Sequence, residues 1–256
     1  MTSFDEDTAI SPDGEVTLTD RWNGSFGVPN GGYQLAICVR ALARLMPYPD
    51  PLLVSGFYLR QAKPGPAQVP ASLLRAGRTM AFGEASLVQE GKETLRTTAC
   101  FTDLNSQNKQ LFTATSQPRL PPPDECVRYS SSAPGAPNIA GRFDYRLAEP
   151  PGWLGGQPSG IPSMEFWMRF ADGREPDMLS LPLTVDGAPP AALELGIVST
   201  TVELTVHLRA RPVPGWLACR AVTRHVTEGY HEEDFEVWDS AGTLVAQSRQ
   251  LCMILR

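Results

Sequence analysis

Two stretches of this chain repeat the same pattern of apolar and polar positions. The phrase LLVSGFYLRQAKPG covers residues 52–65, and the phrase VELTVHLRARPVPG covers residues 202–215. In both, an apolar run with alternating character leads to a Leu-Arg pair, and a Pro-Gly pair ends the phrase. Alternation is typical of a β-strand with one buried face, and Pro-Gly marks a turn. The pattern therefore predicts the same strand twice, far apart in the chain.

The repeat continues beyond these two phrases at a constant spacing. Arg60 and Arg209 are 149 residues apart, and the same spacing relates the turn EGKETL at 90–95 to DSAGTL at 239–244, with Thr-Leu coinciding. Solenoid repeats have periods of about 20 to 50 residues, so a repeat this long is a duplicated domain rather than a stacking unit. We predict an internal duplication of two small domains.

Each copy is predicted to contain one helix followed by an antiparallel sheet. In the first copy, apolar residues after Asn30 recur near the helical period until Pro47 stops them, which predicts a helix of about four turns. In the second copy a shorter helix is predicted over 176–186. Short links join the strands that follow, so neighbouring strands run antiparallel. The predicted strands are 52–61, 71–78, 82–89 and 94–103 in the first copy, and 200–209, 216–226, 230–239 and 243–255 in the second.

These elements predict an α+β fold in which each sheet wraps around its own helix. The first domain is expected over 1–104 and the second over 151–256. Residues 105–150 are rich in proline and serine and are expected to form a linker without a core of its own. Two such sheets can join through edge strands into one continuous sheet, which removes exposed edges. The aromatic segment at 164–170 is expected to lie in the core or in an interface.

Composition and charge narrow the possible partners. Of the 256 residues, 42% are apolar, and the net charge is −6 without a basic cluster, so we expect neither a nucleic-acid partner nor binding to a membrane. The N-terminal residues are acidic and polar, unlike a signal peptide, and no apolar run approaches about 18 residues. A cytoplasmic location is therefore expected. Five widely spaced cysteines are expected to be reduced, and three scattered histidines give no metal-ligand spacing.

Five segments carry a resemblance to a known family. They are PNGGYQLAICVRAL at 29–42, GRTMAFGEASLVQEGK at 77–92, LTVDGAPPA at 183–191, STTVELTVHLRARP at 199–212 and GTLVAQSRQLCMI at 242–254. With the duplication, they resemble the acyl-CoA thioesterase II-like proteins of the thioesterase-like superfamily, whose fold is the double hotdog. The resemblance implies a hydrolase that splits an acyl-CoA or another acyl thioester and that needs no cofactor. Packing of the sheets between copies implies a homo-oligomer.

The resemblance also implies catalytic roles for three residues. Asp186 matches the aspartate at the end of the family's second helix, Thr201 its strand threonine, and Gln250 the glutamine of its last strand. In the family, these three hold and activate a water molecule against the thioester carbonyl. Burial and a position at the C-terminal end of a helix are both expected to raise the pKa of Asp186, which suits a general base.

The start of the first helix is expected to hold the thioester. Gly31, Gly32 and Tyr33 lie there. Backbone N–H groups at a helix N-terminus favour negative charge, and glycine permits close approach. These three residues are therefore the expected oxyanion-binding and substrate-binding residues.

Simpler interpretations of the same residues remain open. An Asp before a Gly is often a helix-end or turn residue, Thr201 alone is an ordinary strand residue, and Asn-Gly-Gly can be a plain helix entry. Three functions are therefore carried forward. They are an acyl-CoA thioesterase, a non-catalytic acyl-thioester binding protein with the same fold, and a hydratase or dehydratase, which the lack of a helix-borne Asp and His motif disfavours.

Overall fold

Strands from both halves of the chain form one antiparallel sheet. The computed structural model describes residues 2–106, 112–129 and 136–255. The first half supplies β1 (Glu15–Leu18), β2 (Asp50–Tyr58), β3 (Gly65–Gln68), β4 (Ala71–Ala76), β5 (Met80–Gln89) and β6 (Lys92–Thr102). The second half supplies β7 (Val127–Arg128), β8 (Phe143–Leu147), β9 (Ser163–Phe170), β10 (Ser199–Leu208), β11 (Leu217–Val222), β12 (Val226–Thr227), β13 (Tyr230–Trp238) and β14 (Leu244–Ile254).

The order of the strands shows how the halves are joined. Across the sheet it is β1-β3-β5-β6-β2-β10-β14-β13-β11-β9-β8-β7, with β4 beside β5 and β12 beside β13. The two halves therefore meet where β2 pairs with β10. The predicted α+β fold with one continuous sheet is confirmed, and the strands β1, β3, β7, β8, β9 and β12 are additions to the predicted set.

The duplicated phrase pairs with its own copy at this junction. A shift of 149 residues maps Ser55 onto Leu204 and Gly56 onto Thr205. In the sheet, Ser55 lies opposite Thr205 and Gly56 lies opposite Leu204, in an antiparallel register. Each phrase thus meets the equivalent phrase about a local two-fold axis, and the hydrogen bonds between them remove one exposed edge from each half.

Helix α2 (Gly31–Ala43) forms the centre of the first half. It packs against β2, β4, β5 and β6, and 10 of its 13 residues are buried. A helix that is apolar on nearly every side is a core helix, not a surface helix. We call the face of the sheet that packs against it the inner face. The other α-helices in the described part of the chain are α1 (Ser3–Asp7) and α3 (Leu181–Thr184).

The predicted second helix over 176–186 is wrong in length. Only the four residues of α3 are α-helical, and a 3₁₀ turn follows at Ala191–Leu195. Asp177 forms a local turn instead, because its Oδ1 accepts from the backbone N–H of Ser180 at 2.8 Å. Pro182 has no N–H to donate to a preceding turn, so it is tolerated only near the start of a helix.

The stretch predicted as a linker over 105–150 contains two strands. β7 and β8 lie within it, and β8 pairs with β9. Phe143, Tyr145 and Leu147 of β8 are buried in the core. The linker prediction is therefore corrected over these residues: the short alternation FDYRL is too brief to be distinguished from its Pro- and Ser-rich surroundings by composition. The linker predictions for 107–111 and 130–135 lie outside the described residues.

The aromatic segment predicted for the core or an interface forms β9. Met164, Phe166, Met168 and Phe170 alternate into the core.

Within the described ranges, no helix combines the length and the apolar character needed to cross a membrane.

Candidate active site

Asp186 is held by the start of helix α2. Its Oδ2 accepts hydrogen bonds from the Gly32 N–H at 2.7 Å and from Asn30 Nδ2 at 2.9 Å. The same Nδ2 also donates to the backbone carbonyl of Asp186 at 2.8 Å, and Asn30 Oδ1 caps α2 by accepting from the Tyr33 N–H at 3.0 Å. Negative charge is favoured at a helix N-terminus. A carboxylate of the second half therefore completes the N-terminal cap of the helix of the first half.

The two glycines allow this close approach. A Cβ atom on Gly32 would lie 2.6 Å from the carbonyl oxygen of Pro182 and 2.9 Å from the Cβ of Asp186. A Cβ atom on Gly31 would lie 2.8 Å from the hydroxyl oxygen of Tyr58. Because such contacts are shorter than van der Waals distance, a larger residue at position 32 would force α2 away from α3 and Asp186, and one at position 31 would displace Tyr58.

Thr201, Gln250 and Glu233 form a second hydrogen-bonded group on the inner face of the sheet. The Thr201 hydroxyl donates to Gln250 Oε1 at 2.9 Å, and Gln250 Nε2 donates to Glu233 Oε1 at 3.1 Å. Glu233 Oε2 in turn accepts from the Ala191 N–H at 2.6 Å. Gln250 and Glu233 lie opposite each other on β14 and β13, and both side chains are buried.

The two groups are neighbours without a direct hydrogen bond. Asp186 is bonded to neither Thr201 nor Gln250. Burial is the main reason that the pKa values of Glu233 and Cys252 are raised, and the nearby Asp186 charge raises both further. Glu233 lies opposite Gln250 and Cys252 opposite Thr201 in the sheet. The three residues implied as catalytic are therefore brought to one region, although 64 residues separate Asp186 from Gln250.

Both halves of the chain match models of one protein family. Residues 18–102 match the acyl-CoA thioesterase N-terminal domain, and residues 123–254 match the acyl-CoA thioesterase C-terminal domain. The chain belongs to the acyl-CoA thioesterase family. The resemblance found in the sequence is therefore confirmed, and this thioesterase-family chain carries the N-terminal family domain followed by the C-terminal one.

Solved structures of similar proteins support the same fold. A provisionally assigned thioesterase II of Thermobifida fusca is 30% identical, with a TM-score of 0.89, and the match covers 100% of this chain and 98% of that one. A protein of Alicyclobacillus acidocaldarius with a hot dog fold is 24% identical, with a TM-score of 0.87, and the match covers 100% and 99% of the two chains. The double hotdog prediction is confirmed.

A curated relative is also similar over most of its length. The uncharacterized protein Rv0499 of Mycobacterium tuberculosis is 26% identical over 268 residues, which cover 94% of this chain and 90% of that protein. The acyl-CoA thioesterase II TesB2 of Mycobacterium marinum shares the fold at 16% identity, with a TM-score of 0.74 and coverage of 99% and 98%.

The pKa of Asp186 in this thioesterase-family chain is raised to about 6, mainly because burial of the carboxyl group disfavours the anion. The residue as a whole is half-buried, but its carboxyl group is surrounded by protein. The hydrogen bonds from Gly32, Asn30 and Gly31 oppose the shift by stabilising the carboxylate. The sequence led us to expect two causes of a raised pKa, namely burial and the C-terminal end of a helix. The second expectation is wrong. α3 has only four residues, and the helix end in contact with Asp186 is the N-terminus of α2, which lowers the pKa.

The N–H groups expected to bind the oxyanion are directed at Asp186. The Gly32 N–H donates to Oδ2, and the Gly31 N–H contributes to lowering the pKa of the same carboxyl. In this arrangement the two glycines hold the candidate base, so their donors are not open to a substrate oxygen.

Tyr33 does not line the site. Its side chain is fully buried, and its ring stacks on Trp22 with the centroids 5.7 Å apart. Its hydroxyl donates to the carbonyl of Asp7 at 2.9 Å and accepts from the Thr19 N–H at 3.4 Å. The expectation that Tyr33 binds substrate is corrected. The side-chain contacts of Tyr33 are with the N-terminal segment, at Asp7, Thr19 and Trp22.

Sequence reasoning did not find Glu233 or Tyr58. Glu233 occupies an inward position of β13, in phase with buried Phe235 and Val237. Carboxylates are rarely buried, so a glutamate at an apolar position of an alternating strand was the sequence signal that could have identified it. The Tyr58 hydroxyl is buried without a hydrogen-bond partner, and burial followed by the Asp186 charge raises its pKa well above the usual value. Tyr58 lies in the duplicated phrase, which was predicted as a strand. Aromatic residues are common in strands, so the sequence carried no separate signal for Tyr58.

Two of the three histidines, His207 on β10 and His231 on β13, lie on strands of the second half. His207 is exposed, whereas His231 is buried and its Nε2 lies 2.8 Å from the Ser199 hydroxyl. Ser199 lies on β10 two residues before Thr201. Among the described residues, no group of three or more His, Cys, Asp or Glu side chains is arranged to hold a metal ion.

Proposed function

We propose that this protein is an acyl-CoA thioesterase that uses Asp186 as the base for attack by water. The observation that carries the proposal is a desolvated carboxyl group with a pKa raised to about 6, next to the Thr201–Gln250 pair, in a chain whose two halves match acyl-CoA thioesterase domains. A base whose pKa lies near neutrality can both be ionised and accept a proton in the transition state.

The reaction consumes one water molecule. Asn30 Nδ2 and the Gly32 N–H both donate to Oδ2 of Asp186, which leaves Oδ1 to accept a proton from the water. Thr201 and Gln250 orient the water, and its oxygen attacks the carbonyl carbon. The carbon–sulfur bond then breaks, and the thiolate takes the proton that Asp186 had accepted. A thiol has a pKa near 8.5, so it leaves with little help from an acid. The products are a carboxylic acid and free coenzyme A.

Release of free thiol from a panel of acyl-CoAs tests this function. The panel extends from acetyl-CoA to palmitoyl-CoA and includes an aromatic acyl group. Turnover by the native chain supports a thioesterase, and the dependence of kcat/KM on the acyl group gives its preference. An acyl group carried on a phosphopantetheinyl protein distinguishes a carrier protein from coenzyme A as the natural thiol.

A non-catalytic acyl-thioester binding protein is the second candidate. The observation that favours it is the use of the Gly32 N–H by Asp186, because an expected oxyanion donor is then already occupied. Measurable binding of acyl-CoA by calorimetry without release of thiol from any member of the panel would support this function. Fold and family membership do not by themselves decide between the two.

A homo-oligomer remains part of the proposal. Several apolar side chains on β2 and β14 are exposed, including Phe57, Leu251 and Met253. Apolar groups on a strand face commonly mark contact between copies. Light scattering of the purified protein gives the mass in solution, and a monomer would contradict self-association.

A further inference from the structure

Glu233 has two fixed contacts at the edge of the candidate site. Its exposed fraction is 3%, and its Oε2 accepts from the Ala191 N–H at 2.6 Å. Ala191 is the first residue of the 3₁₀ turn Ala191–Leu195, so this N–H has no partner inside the turn. Because one carboxylate oxygen is held by a backbone donor, the plane of the carboxylate is fixed and Oε1 is aimed at Gln250.

A glutamine amide can stand in either of two orientations. Its oxygen accepts hydrogen bonds and its nitrogen donates them. An ionised Glu233 offers only acceptors, so it selects the orientation in which Gln250 Nε2 faces it at 3.1 Å. Gln250 Oε1 then faces Thr201, at 2.9 Å from the hydroxyl oxygen.

This orientation decides what Thr201 can offer to water. A hydroxyl has one proton, and in this arrangement the proton is directed to Gln250. The Thr201 oxygen can then only accept a hydrogen bond from a neighbouring water molecule. A water that donates one proton to Asp186 and the other to Thr201 keeps a lone pair for the carbonyl carbon. With the amide reversed, the Thr201 proton would point at that lone pair instead.

We propose that Glu233 is a positioning residue that fixes the orientation of the Gln250 amide and so makes Thr201 an acceptor for the attacking water. This inference rests on the proposed thioesterase function for its kinetic consequence. The titratable groups around Glu233 are Asp186 after α3, Cys252 on β14, and His231 and Asp234 on its own strand. Burial is the main reason that the pKa of Glu233 is raised to about 7, and the charges of Asp186 and Asp234 add to this shift. Protonated Glu233 can donate to the amide oxygen and so permits the reversed orientation.

The first test compares Glu233→Gln with a matched control. A glutamine at 233 has the same size but can donate as well as accept, so it no longer selects one orientation of Gln250. We expect kcat to fall about 10- to 100-fold while KM changes less than about threefold, because a misaligned catalytic group affects the chemical step. Unchanged kcat would overturn the proposal.

Glu194→Gln is the control. Glu194 is also 3% exposed and its carboxylate is also held at both oxygens, here by two backbone N–H groups, from Gly152 at 2.8 Å and Ser159 at 2.6 Å, but it has no hydrogen bond to Gln250. We expect Glu194→Gln to lower thermal stability with kcat retained. An equal fall of kcat in both variants would indicate a general structural effect and would count against a positioning role.

A double-mutant cycle separates action through Gln250 from action on the fold. In a Gln250→Ala background, Glu233→Gln should cause no further loss of kcat, because the group that it positions is gone. Additive losses in the double variant would overturn the proposal.

A measurement without turnover distinguishes this inference from the proposed function. The side-chain amide resonances of Gln250, identified by their loss in Gln250→Ala, should shift with pH in the native chain and stay constant in Glu233→Gln. If the native chain releases no thiol from any acyl-CoA but the shift is present, the hydrolase is rejected and the role of Glu233 in orienting the amide is supported. Resonances that do not respond to pH in the native chain would overturn that role.

Discussion

Asn30 and Asp186 are 156 residues apart in the chain and are joined by two hydrogen bonds, of 2.8 and 2.9 Å, from one amide nitrogen. This contact fastens the end of α3 in the second half to the start of α2 in the first. The candidate base is therefore held in place by residues of both halves of the chain.

Replacing Asp186 by asparagine is expected to remove catalysis while the substrate still binds. The substituted amide can keep an oxygen at the Oδ2 position for Gly32 and Asn30, but it cannot accept a proton from water. We expect kcat to fall about 100-fold or more with little change in acyl-CoA affinity. Thiol release and calorimetry measure the two quantities. Asp124 is exposed, so Asp124→Asn serves as the control with native turnover; equal activity of both variants would contradict the assignment.

The same substitution is expected to stabilise the fold at neutral and higher pH. The pKa of Asp186 rises on folding from 3.8 to about 6, so its ionisation opposes folding. This cost is absent below about pH 4, grows as pH rises through about 6, and is complete above that value. A shift of about two units corresponds to about 3 kcal/mol, which is the upper limit for the gain in the free energy of unfolding.

Urea unfolding of the native chain and Asp186→Asn at about pH 8 and about pH 3.5 measures this gain. The variant should be the more stable protein at the higher pH, and the two should converge at the lower one. A gain that is equal at both pH values would show that the carboxylate charge is not its cause.

The activity of the native chain is expected to rise with pH through the range in which Asp186 and Glu233 ionise. Burial is the main reason that their pKa values are raised, to about 6 and about 7. Both roles require the ionised form, so kcat should be low near pH 5 and reach a plateau above about pH 8. A kcat that does not change between these values would contradict both roles.

Gly32→Ala is expected to damage the site through packing. The added methyl group would lie 2.6 Å from the Pro182 carbonyl oxygen, so α2 and α3 must separate. We expect a loss of about 1–3 kcal/mol in the free energy of unfolding and a fall in kcat as Asp186 moves. Gly155 has open space at its Cβ position, so Gly155→Ala should leave stability and kcat near native values. Native activity in Gly32→Ala would show that the close approach is not required.

Tyr33→Phe is expected to weaken the fold and to leave the chemistry unchanged. The lost hydroxyl leaves the buried carbonyl of Asp7 without its donor, which typically costs about 1–3 kcal/mol. Thermal unfolding should show the loss, while kcat and KM remain native at a temperature at which the variant is folded. A rise in KM without a loss of stability would instead restore Tyr33 as a substrate-binding residue.

The sequence by itself determined the duplication, the central helix and the principal strands of each half. The 149-residue spacing and the alternation of apolar positions are local properties of the chain, so they survive without knowledge of the packing. The same reasoning located Asp186, Thr201 and Gln250 through family resemblance, and the structure places all three in one region. Sequence reasoning overestimated the length of the second helix, in which Pro182 lies, and it described β8 as linker, because a five-residue strand is too short to show a clear alternation.

Only the tertiary structure decided what surrounds the candidate base. The contact of Gly32 with Asp186, the burial that raises the pKa of the Asp186 carboxyl, and the position of Glu233 behind Gln250 all arise where distant segments meet. Hydrogen-bond partners and dielectric surroundings depend on atoms many residues away in the chain. The sequence therefore identified which residues can accept a proton, and the packing of the two halves determined which of them is placed to do so.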